Sequence, residues 1–251
     1  MPEAAAPAPK PRAGRTVTGR RRLRSALAVA ALDLFAAQGY EATTVEDIAE
    51  EVGVGRRTFF RYFRSKEEVV FPDHDERLAA VVERLEAADT AESPLSVVGD
   101  TAEVVLEMYL AEPEISLKRF ALTRTVPSLR DREIASIDRY QRVFARYLRY
   151  RYGEEPHGDL RAAVGAAAVV ATHNHILRQW LRSGGATDAH GALREALRLV
   201  AAAVEDSWGG QETRREAEST DQVVVGVVKT AASAADVRAR IEDVLRELPD
   251  E

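Results

Sequence analysis

The chain has no cysteine among its 251 residues. That excludes disulfides, thiol nucleophiles and zinc sites built on thiolates. Aromatic residues make up only 6% of it, so a core must rest mainly on aliphatic side chains, and any cluster of rings is informative. No apolar run approaches the ~20 residues that span a bilayer. The opening "MPEAAAPAPKPRAGR" lacks the apolar stretch of a secretory leader. These absences predict a cytoplasmic protein without membrane contact. Also missing are a glycine-rich phosphate loop, a Ser-x-x-Lys pair and a His-Glu-x-x-His pair, the usual marks of several enzyme classes. The expectation is a protein that is not an enzyme and carries no cofactor or metal.

Positive charge is the minority sign, with a formal net charge of -6, yet it is concentrated at one end. From Lys10 to Arg24 every charged residue is basic, and a second group follows at Arg56, Arg57, Arg61, Arg64 and Lys66. Acidic residues prevail downstream. This distribution lets one end meet an anion that the remainder repels.

Apolar periodicity organises the chain into helices. Residues 1–18, rich in Pro, Ala and Arg, read as a disordered basic arm. From Thr18, residues Leu23, Leu27, Ala30, Ala31, Leu34 and Phe35 follow a helical repeat that ends at Gly39. Thr44 and Asp47 make a capping-box pair for a second helix, with Val45, Ile48, Ala49 and Val52 as its stripe. Gly53-Val54-Gly55 fits only a tight turn, and Ser65 caps a fourth helix from Lys66. From Leu78 to Trp208 the pattern is helical, punctuated by Pro94, Pro113, Pro127, Pro156 and Gly184-Gly185. A polar linker is expected from Gly209, then a short strand over Val223–Val228 and a final helix capped by Ser233. That small unit has to dock on its own domain or pair across a dimer.

The rings cluster in "GVGRRTFFRYFRSK", Gly53 to Lys66. On a wheel advancing ~100° per residue, Arg57, Arg61 and Arg64 fall on one face, and Phe59, Tyr62 and Phe63 on the other. The rings would bury against the first two helices while the guanidinium groups point outward. Such a helix after a short turn is the form of a helix-turn-helix, whose second helix presents its first residues to bases in a major groove. Arginine there can bond guanine O6 and N7 together, at ~1–3 kcal/mol of discrimination per pair.

The run "ALDLFAAQGYEATTVEDIAEEVGVGRRTFFRYFRSKEEVV" resembles the DNA-binding domain of the TetR/AcrR family of bacterial transcriptional regulators. Leu34-Phe35, Gly39-Tyr40, Thr43-Thr44-Val45, Ile48-Ala49, Val52-Gly53-Val54 and Ser65-Lys66-Glu67 fall in register over some fifty residues, a fifth of the chain. The resemblance implies a homodimer on a two-fold operator in double-stranded DNA. It also implies a larger helical domain holding the dimer contacts and a small-molecule pocket, with the ligand releasing the operator. Carried over by position, Thr44, Phe60 and Lys66 match phosphate-contacting sites, and Arg56, Arg57 and Thr58 match base-facing ones. Gly55 stands at the start of the recognition helix, where serine is common, and Phe60 where tyrosine is common. Without a hydroxyl, Phe60 packs beside the sugar-phosphate backbone and Arg61 supplies the charge, with Arg20 and Arg21 of the basic stretch 10–24 adding phosphate or groove contacts.

The predicted fold class is therefore all-α. The expected domains are the arm at 1–18, a three-helix DNA-binding domain at 19–70, a ligand-binding and dimerisation domain at 71–209, and a strand-helix extension at 210–251. Polar groups within apolar helices are the pocket candidates: Arg119, Phe120, Thr123 and Arg124 in one stretch, and Thr172, His173, Asn174, His175, Arg178, Gln179 and Trp180 in another. His173 and His175 lie ~200° apart on a helix and cannot share an ion. "PDHDE" (Pro72–Glu76) holds potential metal ligands but equally suits the acidic start of a helix. The phrase "RTFFRYF-SKEE" is similar to a subgroup that senses acyl-thioester-like ligands, which would need a basic mouth formed by Arg119 and Arg124. The alternatives are a helical adapter whose basic face binds an acidic protein, and an enzyme on a helical scaffold.

Overall fold

Local chemistry sets the helix boundaries in the computed structural model, which describes residues 17–72, 74–153 and 155–219. The first helix, α1 (Val17–Gln38), stops where Gly39 adopts φ +91°, a left-handed conformation that glycine enters without cost. The second, α2 (Val45–Glu51), starts with both halves of the expected capping box: Thr44 Oγ1 accepts from Asp47 N–H at 3.1 Å, and Asp47 Oδ2 accepts from Thr44 N–H at 2.8 Å. Gly53, at φ +72°, turns the chain into α3 (Arg56–Tyr62). Ser65 Oγ then caps α4 (Lys66–Val70) by accepting from Glu68 N–H at 3.3 Å.

Six further helices follow among the described residues: α5 (His74–Glu86), α6 (Pro94–Leu110), α7 (Pro113–Thr125), α8 (Pro127–Tyr152), α9 (Gly158–Arg182) and α10 (Ala189–Ser219). Three of them begin at proline, whose missing N–H is no loss in a first turn. Described residues contain no strand. The strand expected at 223–228, the last helix and the arm up to residue 16 lie outside the described residues. The polar stretch expected as a linker from Gly209 instead continues α10 as far as Ser219. Helices α1 to α9, with α10 as far as Trp208, form one unit.

That unit has two apolar cores. The smaller one joins Leu27, Leu32 and Phe35 of α1, Ile48 of α2, Phe59 and Phe63 at α3, and Val69 and Val70 of α4. It does not end at residue 70, because Leu122, Val126 and Leu129 at the α7–α8 junction complete it. The larger core packs α5, α6, α8, α9 and α10 together, with Leu106, Leu148, Val169 and Leu193 at its centre. Ion pairs across the join add orientation: Arg24–Glu76 at 2.6 Å links α1 to α5, and Lys118–Asp33 at 2.6 Å links α7 to α1. As part-exposed surface pairs, each is worth at most ~1 kcal/mol.

Candidate functional site

The candidate DNA-facing surface follows from the phase of α3. Phe59 and Phe63 are 0% and 1% exposed, stacked at a tilt with their centroids 5.4 Å apart. Burying those two rings turns Arg56, Arg57, Phe60 and Arg61 to solvent, while Tyr62 and Thr58 are half-buried. Phe60 is 43% exposed and stands edge-on to Phe59. Gly55 opens the helix from extended backbone at φ -88° and offers no capping side chain. The Thr58 N–H instead donates to the Gly55 carbonyl at 2.7 Å.

The candidate contacts are not equally available. Arg57 is exposed and has no ion pair or hydrogen bond among the described residues. Arg56 is held by Glu46 of α2 at 2.7 Å and lies over the Phe60 ring. Arg61 lies over the Tyr62 ring, its Nη2 3.5 Å from the Tyr62 hydroxyl. Thr44 spends its lone pair on the α2 cap, but its hydroxyl hydrogen remains able to donate. Lys66 is the exception among the carried-over residues. Its Nζ donates to the carbonyls of Tyr40 (2.8 Å) and Thr43 (3.1 Å) and sits over the Tyr40 ring. It therefore braces the connection into α2. Arg20 and Arg21 are exposed on the first turns of α1.

A cavity of about 60 Å³ lies where α5, α6, α7, α8 and α9 converge. Of the pocket candidates, Arg119, His173 and Asn174 line it. Thr123 is buried beside it and hydrogen-bonds the lining carboxyl of Glu133, and the charge of exposed Arg178 acts on the same carboxyl. Phe120, Arg124, His175 and Trp180 do not line the cavity. Arg124 lies over the Phe120 ring, His175 faces solvent, and Trp180 is buried in the larger core. The sequence reading missed His74, Tyr109, Glu133, Ser136 and Tyr140. Three of these, Glu133, Ser136 and Tyr140, recur at helical spacing on α8, a polar stripe that could have marked them.

Burial shapes the chemistry of the cavity. It drives His74 down to about 3, helped by Arg119, Arg77, Arg139 and Arg132, and His173 down to about 4. Both imidazoles are therefore neutral at pH 7. Burial also pushes Tyr140 up to about 12 and raises Glu133. Ser136 Oγ lies 2.8 Å from His74 Nδ1.

These shifts predict an acid-sensitive fold. Below pH 6.5, the unfolded histidines take up protons that the folded ones refuse. Their stabilisation is complete above that pH and is lost as pH falls toward about 4 for His173 and about 3 for His74. Glu133, with its raised value, opposes the trend. The melting temperature is expected to fall between pH 7 and pH 5, and a His74→Gln/His173→Gln chain to show a flatter profile. Equal slopes in both proteins would refute the assignment.

A buried-ring recognition helix, exposed arginines at its start and a separate polar-in-apolar cavity define a helix-turn-helix regulatory protein. Comparison with known proteins agrees. Residues 27–71 match the model for bacterial regulatory proteins of the tetR family, and residues 92–205 match that for the MftR C-terminal domain. The HTH-type transcriptional regulator TcmR of Streptomyces glaucescens is 33% identical over 166 residues, which is 64% of this chain and 74% of TcmR. SmeT in its triclosan complex has a TM-score of 0.54 at 20% identity, covering 72% of this chain and 91% of SmeT. NalD, the secondary repressor of the MexAB-OprM multidrug efflux pump in Pseudomonas aeruginosa, has a TM-score of 0.51 at 18% identity, covering 73% and 95%. At those identities the last two likenesses concern the fold alone. The chain belongs to the TetR family and is a DNA-binding transcriptional regulator. No described helix is long and apolar enough to cross a membrane.

Proposed function

We propose that this regulator is a homodimeric repressor that leaves its operator when a small molecule fills the cavity. One observation carries the coupling. Arg119, a cavity wall residue, donates from Nε to the carbonyl of Val70 at 2.7 Å, at the end of α4. At the start of the same five-residue helix, Lys66 holds the carbonyls of Tyr40 and Thr43, immediately before the Thr44 cap of α2. A ligand that displaces Arg119 thus pulls on a rod whose far end sets the helix-turn-helix. The dimer contacts are assigned to α9 and α10, where Leu160, Val164 and Leu199 are 56%, 39% and 65% exposed.

In this reading Arg56, Arg57 and Thr58 meet bases. Thr44, Arg61, Arg20 and Arg21 meet phosphates, Phe60 packs beside the sugar-phosphate backbone, and Lys66 acts as a brace. A compact effector is favoured over an acyl thioester. The basic mouth such a ligand needs is not assembled, since Arg124 is outside the lining and Arg119 is engaged with Val70.

Selection of bound fragments from the organism's own genome tests the whole reading. It should return a palindrome whose half-site spacing reports a dimer. Recovery of DNA without shared sequence would favour the adapter. Phe60→Tyr is expected to keep or tighten operator binding in a gel-shift titration, because the added hydroxyl can reach a phosphate. A clear loss would contradict the placement of that ring.

A further inference from the structure

We infer that the cavity binds a small aromatic ligand bearing a hydroxyl group, and that this hydroxyl donates to Nε2 of His173. The inference rests on reading the cavity as the effector site and adds the chemistry of its occupant. Its starting point is a buried atom in want of a partner. His173 is 8% exposed, and its Nε2 is fully buried with no hydrogen-bond partner among the described residues. Native interiors rarely leave such an atom unpaired, because the lost hydration is not repaid.

The other ring nitrogen decides what the partner must be. A neutral imidazole carries one N–H and one lone pair. His173 Nδ1 lies 3.4 Å from Asn174 Oδ1, an oxygen that can only accept. With the Asn174 amide in this orientation, the proton is assigned to Nδ1 and Nε2 presents the lone pair. A carboxylate or ketone oxygen offers nothing to that atom, whereas a hydroxyl donates to it. Ammonium donors are disfavoured because the charges of Arg119, Arg77, Arg139 and Arg132 bear on His74 of the lining and outnumber its one carboxyl, Glu133.

The walls select the rest of the molecule. Phe71, Tyr109, Tyr140 and Phe144 contribute rings, and Val105 and Leu177 contribute aliphatic surface. Tyr109 lies with its centroid 6.5 Å from that of His173. About 60 Å³ of space is less than the ~150 Å³ of a cavity that holds benzene, so even one ring enters only by moving a wall outward, and an extended chain is excluded more strongly. Rings on several sides favour a planar guest, and a phenolic hydroxyl is a better donor than an alkyl one.

Calorimetric titration of the full chain with 4-ethylphenol and with ethylbenzene tests this directly, since the probes differ by one hydroxyl. The wild type is expected to bind the phenol at least ~10-fold more tightly, because a site built to bond a hydroxyl rejects the analogue lacking it. His173→Phe should abolish or reverse the preference for the phenol, because a hydroxyl buried without a partner is penalised. Equal affinities in the wild type, or an undiminished preference in His173→Phe, would overturn the inference while leaving the cavity a binding site. If the wild type binds neither probe, both the inference and the effector reading fall. Imidazole ¹⁵N shifts of the wild type supply a check independent of any variant. The unprotonated Nε2 signal of His173 should move with 4-ethylphenol and stay in place with ethylbenzene; a protonated Nε2 in the free protein would sink the proposal.

Discussion

Phe59→Ala is expected to lower the stability of the DNA-binding domain by about 3–5 kcal/mol and to abolish operator binding with it. Phe59 is 0% exposed and meets both Phe60 and Phe63, with centroids 5.5 Å and 5.4 Å away. It belongs to the core built from α1, α2 and α4 together with Leu122, Val126 and Leu129. Truncation leaves a ring-sized void that this contact set cannot close without moving α3. The ring is also what fixes the rotation of α3, so its loss frees the arginines from their outward phase. Urea titration followed by tryptophan-independent circular dichroism gives the midpoint shift. Phe60→Ala is the control: that ring is 43% exposed, so its loss should cost less than ~1 kcal/mol and act mainly on DNA binding. If the two variants melt together, the inward and outward phases assigned to the rings are wrong.

The same residues explain why this end of the chain was legible beforehand. Thr44 with Asp47, Ser65 and the left-handed glycines at 39 and 53 act through neighbours three or four residues away. Their geometry can be written from local sequence. The cavity depends on distant partners. His74, Arg119, Ser136 and His173 sit on four different helices and meet only when those helices pack. Helical phase separates His173 from His175, but it does not say which of them faces inward; packing against α6 and α8 chooses His173. Chemical appeal misled where burial governs, as with Trp180, a ring that fills the core and offers nothing to the cavity. The continuation of α10 through Gly209-Gly210 has a similar cause. Each glycine costs about 1 kcal/mol in a helix, an amount that the favourable run of Gln211, Glu212, Arg214, Arg215, Glu216 and Ala217 can outweigh. A boundary at residue 70 was natural from the motif alone, yet the small core continues into Leu122 and Leu129, which the motif does not contain.

That shared core holds α3 steady, and in the proposed reading base contact falls to Arg57, which has no ion pair among the described residues. Arg57→Ala is expected to reduce operator affinity by ~5- to 150-fold, the equivalent of ~1–3 kcal/mol for one paired base contact. On random DNA at the same salt the loss should be far smaller, since only one charge's worth of counterion release is removed. Arg56→Ala should cost less than Arg57→Ala. To reach a base, Arg56 must first leave Glu46 at 2.7 Å, an exposed pair worth ~0.2–1 kcal/mol. Glu46→Gln removes that competition and should tighten operator binding modestly while sparing the fold. Arg61→Ala should lower affinity for operator and random DNA alike and reduce the salt slope by about one unit. Fluorescence anisotropy on operator and scrambled duplexes, repeated over a salt series, separates these cases. Should Arg57→Ala weaken both duplexes by the same factor, the residue touches phosphate, and base reading must pass to another side chain of α3.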